Sequence, residues 1–270
     1  MKKTKKIFDC ITFFNENFIS NIRFEILKKS VDYFVVCESK FDHNGNKKKL
    51  YFKLKNKTLK KKLIYIVLEE PFPNHLLNNW QRQAYQRDYM LSKISNAEQD
   101  DFILFSDPDE IPNPLLLDKF KLKKKYGIFL QRHFVYKFNI FNSYDTPWAG
   151  TRVCCFKNLK SIDYMRQKVL VKNLKKWWRS DKEKNIELFH DGGWHFKDML
   201  TPQQLSAKLK AFAHKEFSAN KFSNIQVIKK KIMQNIDLYN KKQVFHKINL
   251  DTTFPTYILR NRVKLSRFID

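Results

Sequence analysis

Short apolar runs alternate with helix-period stretches through the first half of the chain. Ile7–Phe14 reads as a strand, and Phe18–Lys29 as a helix with Ile19, Ile22, Ile26 and Leu27 along one face. Val31–Glu38, β-branched and aromatic, is a second strand, followed by a turn at Asn44-Gly45. Leu63–Leu68 is a third; Pro71 and Pro73 then interrupt the chain before a helix over Asn79–Ser95. Asp101–Ser106 is a fourth strand, apolar at four successive positions from Phe102 to Phe105. Runs apolar at every position suit a mainly parallel sheet covered on both faces. Strand–helix alternation therefore predicts an α/β fold whose ligands sit at the carboxyl ends of the strands.

The second half continues the pattern. Asn113-Pro114 supplies a cap and first position for a helix running to about Lys125, and Ile128–Tyr136 and Arg152–Phe156 are further strands. Thr201-Pro202-Gln203-Gln204 reads as a capping box opening a helix to about Phe217, with Leu205, Leu209 and Phe212 in register. Another helix spans Ile225–Tyr239, and a mixed tail begins at Asp251. No repeat or linker interrupts this, so residues 1–270 are expected to form one domain, with the helices from about residue 201 packed on it.

Composition narrows the chemistry. Only 5 glycines are present, and neither G-x-G-x-x-G nor G-x-x-x-x-G-K-[ST] occurs, so a phosphate must be held by a metal ion or basic side chains. Lys plus Arg is 53 against 27 acidic residues, a net charge of +26, which suits nucleic acid or an anionic membrane surface. The lysines are scattered in short runs, such as Lys47–Lys49, Lys60–Lys62 and Lys229–Lys231, and read as solvated faces; nucleic acid is not the expected partner. Cys10, Cys37, Cys154 and Cys155 contain no C-x-x-C and fit buried, reduced thiols. The apolar stretch from Ile7 is broken by Asp9 and ends at Asn15-Glu16, too short and polar for a signal peptide. A cytoplasmic protein, in peripheral contact with the inner face of the membrane, is the expectation.

The sharpest feature is Ser106-Asp107-Pro108-Asp109-Glu110 at the end of the fourth strand. Alternate residues of an extended turn point the same way, so Asp107 and Asp109 are candidate ligands of one cation. Hard oxygen donors suit Mn²⁺ or Mg²⁺, which keep positions for substrate phosphates. The bland alternative is an acidic turn before a helix. His190-Asp191-Gly192-Gly193-Trp194-His195 is the second feature. Asp191 is a candidate general base, His195 a candidate metal or phosphate ligand, and Trp194 a candidate stacking platform for a sugar or base; a glycine turn with a packed Trp is the alternative. Glu38 ends a strand where a ribose is bound in such sheets, although a salt-bridge role fits its position better. Arg87, on the helix from Asn79, is a candidate diphosphate ligand. Trp177-Trp178-Arg179 is either an acceptor- or lipid-facing loop or a packed cluster.

These blocks together resemble glycosyltransferase family 17. The likeness starts at Phe8-Asp9-Cys10, Phe14-Asn15-Glu16 and Val31–Ser39, and continues through Asp107-Pro108-Asp109-Glu110-Ile111-Pro112 and Gly192-Gly193-Trp194-His195. It ends with Lys208-Leu209 and Pro255–Asn261. The resemblance implies a GT-A-like fold, a UDP-sugar donor (UDP-N-acetylglucosamine), a glycan acceptor and inverting, metal-dependent transfer. Asp107 and Asp109 would then hold the metal, Glu38 would lie near the uridine, and the base would be Asp191 or else Glu110. A metal-dependent nuclease and a non-catalytic glycan- or nucleic-acid-binding protein are the rival readings.

Overall fold

The computed structural model describes residues 5–118, 120–176, 178–211, 220–239 and 243–270. Its strands are β1 (Ile7–Phe13), β2 (Tyr33–Ser39), β3 (Leu63–Leu68), β4 (Phe102–Ser106), β5 (Glu110–Pro112), β6 (Tyr126–Val135), β7 (Ile140–Phe141), β8 (Trp148–Cys155), β9 (Ile186–Phe189), β10 (Gly193–Lys197) and β11 (His246–Lys247). The helices are α1 (Asn17–Leu27), α2 (Asn79–Tyr89), α3 (Pro114–Leu117), α4 (Ile162–Lys168), α5 (Pro202–Ala211), α6 (Asn220–Ser223), α7 (Ile225–Met233) and α8 (Thr256–Arg260).

The four apolar runs become adjacent parallel strands in the order β3-β2-β1-β4. Both faces are covered, which is why alternation is absent from the sequence. Along β1, Ile7, Ile11 and Phe13 join one core cluster with α1 and α8, while Phe8 and Cys10 join another with α4 and Met90. β8 runs antiparallel to β4, and β6 antiparallel to β8. β9 then pairs with the first half of β6 and β10 with its second half, both parallel, and β5 is antiparallel to β10. The chain end returns to α1, where Phe268 stacks on Phe18 at 4.2 Å. Helices α5 and α7 share a smaller apolar cluster of Leu205, Leu209, Ile228 and Phe245. All four cysteines are free and buried. No helix among the described residues is long and apolar enough to cross a membrane.

Three helices end short of expectation, the first being α2, which stops at Tyr89 instead of Ser95 and is followed by a 3₁₀ turn at Leu91–Lys93. Asn113 caps α3 by accepting from the Leu115 amide, but the helix stops at Leu117 instead of about Lys125. Phe120 and Leu122 both pack on the core, a two-residue spacing that extended chain provides and a helix does not. The helix expected to reach Tyr239 ends at Met233, because Asn235 enters the left-handed region (φ 52°). Of the helix expected to reach Phe217, residues 202–211 are helical and 212–217 lie outside the described residues.

One buried ion pair ties the layers together. Arg23 of α1, fully buried, donates from Nε and Nη2 to Asp9 of β1 at 2.7 and 2.5 Å. It also donates to Ser106 Oγ at 3.0 Å and to the Glu110 carbonyl at 2.5 Å. Asp9→Ala would leave that guanidinium without its counter-charge, and urea denaturation should show a loss of roughly 3–5 kcal/mol. A loss under about 1 kcal/mol would contradict this role.

Candidate functional site

The acidic loop lies at the carboxyl end of β4, where the sheet order places it beside the end of β1 and the start of β8. Residues 107–109 form a tight turn, closed by the Glu110 amide donating to the Asp107 carbonyl at 3.0 Å. The chain then reverses as β5, whose Glu110 pairs with His195 of β10. Side-chain alternation along β10 sends His195 toward the loop, while Trp194 and Phe196 enter the core. Gly193 (φ 122°) admits this approach, since an added Cβ would lie 2.2 Å from the Ile111 carbonyl oxygen.

Three carboxylates within four residues repel one another, and cations from three distant segments offset them. Arg166 of α4 donates to Asp107 at 2.6 Å and grips Glu110 through two nitrogens at 2.9 and 3.1 Å. Glu110 is fully buried and also accepts the Trp148 indole N–H at 2.8 Å. His195 Nε2 stands 3.6 Å from Asp109, and its ring stacks on His133 at 4.4 Å and lies 4.8 Å from Trp148. Lys208 of α5 completes the set, 3.6 Å from Asp198 and 4.0 Å from Glu16. Partial burial works against ionisation of Asp107, yet Arg166 and Arg87 outweigh it and hold the carboxyl below its usual range. Burial likewise opposes the Asp109 charge, and His195 with Lys208 outweighs it. Burial disfavours the Lys208 cation, but Asp198, Glu16, Asp109 and Asp107 keep it protonated beyond the usual lysine range.

The remaining candidates divide clearly. Arg87 is buried on α2, bonded to Asp163 at 2.8 Å with its guanidinium over Phe105, and close enough to Asp107 to favour its charge. Glu38 is buried with its carboxylate engaged: it accepts from Lys48, the amides of Tyr51 and Phe52, and the Tyr65 hydroxyl at 2.7–3.0 Å. It therefore fixes the 48–52 segment over the end of β2. Trp194 is not a stacking platform: it is 6% exposed and donates its indole N–H to the Thr253 carbonyl at 3.0 Å. Asp191 is not brought to the other carboxylates. It makes a left-handed turn (φ 48°) before β10, where its carbonyl accepts from Asn113, while the Asp109 carbonyl accepts from the Phe196 amide near the other end of β10. Glu110, the second candidate base, has its oxygens occupied by Arg166 and Trp148 and acts as an internal anchor.

Asp107 and Asp109 fit a divalent cation. Both are anionic oxygen donors held ionised, and Arg166 takes one oxygen of Asp107, leaving the other. Among the described residues no three His, Cys, Asp or Glu side chains converge as a metal site. A cation here would therefore draw on this pair, with water and substrate oxygens completing its shell, and His195 would orient Asp109 from behind.

The family model "Glycosyltransferase family 17" matches residues 1–244. The chain belongs to glycosyltransferase family 17. The order β3-β2-β1-β4-β8-β6, with β8 reversed, is the GT-A-like α/β arrangement expected of this family-17 chain. Among curated proteins, it is 31% identical over 117 residues to the beta-1,4-mannosyl-glycoprotein 4-beta-N-acetylglucosaminyltransferases of Rattus norvegicus and Homo sapiens. Each match covers 40% of this chain and 22% of the relative. Among solved structures, glucosyl-3-phosphoglycerate synthase from Mycobacterium tuberculosis with Mn²⁺ and UDP-glucose is 11% identical, covering 70% of each chain at a TM-score of 0.38. The inositol-1-phosphate CTP transferase from T. maritima is 12% identical, covering 70% of this chain and 87% of that one at 0.35.

Arg166 and Lys208 hold the loop's charge balance, yet both lie far from it in sequence. Glu110→Gln should lower stability by roughly 2–4 kcal/mol in urea denaturation, because Arg166 loses its buried partner. Exposed Asp191→Asn should stay within about 0.5 kcal/mol of the parent, Asn being tolerant of the left-handed turn. Equal losses in the two variants would contradict the division of roles.

Proposed function

We propose that this chain transfers a sugar, N-acetylglucosamine, from its UDP conjugate to a hydroxyl of a glycan acceptor. The observation that carries the reading is the fixed pair Asp107 and Asp109, presented at the carboxyl end of β4 and held ionised among Arg166, Lys208 and His195. Family membership and the names of the two relatives support sugar transfer and the choice of donor.

Asp107 and Asp109 would hold Mn²⁺ or Mg²⁺, and the cation would supply positive charge opposite the departing diphosphate. The chain's own contribution is preorganisation. Arg23 and Arg166 fix the loop from below and from the side, so its carboxylates need no rearrangement when donor arrives. Arg87 and Lys208 add fixed positive charge beside the diphosphate position. Glu38 keeps the 48–52 segment over β2, which shapes the nucleoside end of the cleft. The acceptor oxygen would bond the anomeric carbon as the bond from that carbon to the UDP phosphate oxygen breaks on the opposite face. The carbon would be inverted, with the hydroxyl proton passing to solvent. Glu110 is sealed by Arg166 and Trp148 and Asp191 lies in the turn before β10, so the reading assigns the base to neither.

Calorimetric titration of UDP-N-acetylglucosamine with and without Mn²⁺ tests the reading. Binding should require the metal and weaken at least roughly tenfold in Asp109→Ala, a loss of about 1.4 kcal/mol. Metal-independent binding that the substitution leaves unchanged would remove the assignment.

A further inference from the structure

The segment from Lys168 to Lys184 carries seven lysines and arginines against two acidic residues, a net +5 over 17 residues, compared with +26 over all 270. Lys47–Lys62 is more basic still, with nine lysines and no acidic residue, so charge alone does not mark this face; the exposed Trp178 indole among its lysines does. The segment's described residues are tied to the core. Buried Asn173 donates from Nδ2 to the Lys168 carbonyl at 2.7 Å and to the Glu183 carbonyl at 3.1 Å, tying the two ends together. Val169 is in the core, with Val171 and Leu174 packed against it, so the underside of the loop is apolar and anchored. Its outer side borders a cavity of about 340 Å³ whose wall carries Lys168, Lys172, Lys176, Arg179 and Lys182 together with Asp181 and Glu183.

The charges there are not internally balanced. Asp181 takes Arg179 at 2.7 Å and Lys182 at 2.8 Å, whereas Lys168, Lys172 and Lys176 form no ion pair with any described residue. Trp178, 63% exposed, stands beside them. An exposed indole among unpaired lysines is the composition of a membrane-interface contact: the ring sits at headgroup depth while the cations meet anionic lipid. A nucleic acid would instead call for a cationic groove that follows a backbone, and the cavity here is local, partly open and headgroup-sized.

We infer that Lys168, Lys172, Lys176 and Trp178 form a docking face for an anionic phospholipid bilayer, with one headgroup phosphate entering the cavity. The face is independent of the donor reading, although it adjoins the donor site. Arg166 precedes Lys168 by two residues on α4, so a docked bilayer lies about one helix diameter, roughly 10 Å, from the guanidinium that holds Asp107.

Cosedimentation of the full chain with phosphatidylcholine vesicles, with and without phosphatidylglycerol, at near-physiological salt tests the inference. Binding should require phosphatidylglycerol and fall at least roughly tenfold in the triple variant Lys168→Glu, Lys172→Glu, Lys176→Glu. A control variant of equal charge change, Lys60→Glu, Lys61→Glu, Lys229→Glu, should bind as the parent does. Trp178→Ala should remove the blue shift of tryptophan emission on vesicle addition. Metal-dependent UDP binding should survive in the docking variant, showing that the fold and donor site are intact. Equal loss in the control variant would reduce the effect to net charge and overturn the inference. So would unchanged vesicle binding by the docking variant, or binding to single-stranded RNA but not to vesicles.

Discussion

Arg23 is a charged side chain with no access to solvent, and the geometry of the acidic loop depends on it. Taking a guanidinium out of water costs several kcal/mol, and only close, complete pairing offsets that. Asp9 supplies a two-point carboxylate contact, and the remaining donors reach Ser106 and the Glu110 carbonyl. Those last two residues flank the turn 107–109. A three-residue loop pinned at both feet by one rigid fork has little room to move, so Asp107 and Asp109 are presented in a fixed relation to the sheet.

The same logic continues outward from Glu110. Its carbonyl faces Arg23 below, while its carboxylate faces Arg166 and Trp148. Arg166 then reaches on to Asp107, and His195, paired to Glu110 across β5 and β10, reaches Asp109. Each of the two outer carboxylates is thus held by a cation or imidazole that is itself anchored in a separate element. The buried acid spends its charge on structure, which leaves the outer pair for ligand chemistry. This division explains why one motif contains acids of such different exposure.

The parallel half of the sheet was legible because its strands are apolar at every position, a pattern that burial on both faces produces and few other settings do. The acidic loop was legible too, since Asp107, Asp109 and Glu110 fall within four residues at the end of an apolar strand. Ile128–Tyr136 and Arg152–Phe156 were legible as β6 and β8, whereas the short strands β5, β7, β9, β10 and β11 could not be read locally. β5 is only three residues long, and the alternation Trp194-His195-Phe196-Lys197 of β10 is too short, behind a glycine pair, to stand out as a strand. Trp194 and Asp191 were assigned chemistry from composition, whereas alternation along β10 turns Trp194 into the core and leaves Asp191 at the far end. Arg166 and Lys208 reach the loop from 56 to 99 residues away in the chain, on short helices with no distinguishing spacing. Only the folded sheet brings them in.

The central claim is that Asp107 and Asp109 hold the cation that meets the donor diphosphate. Phosphorus-31 resonances of UDP, recorded with the full chain and substoichiometric Mn²⁺, test it most directly. Paramagnetic broadening of both phosphorus lines by the parent protein, reduced to that of free Mn²⁺ and UDP in Asp109→Asn, is the predicted result. Broadening that persists undiminished in Asp109→Asn, or none beyond free Mn²⁺ and UDP with the parent, would contradict the account.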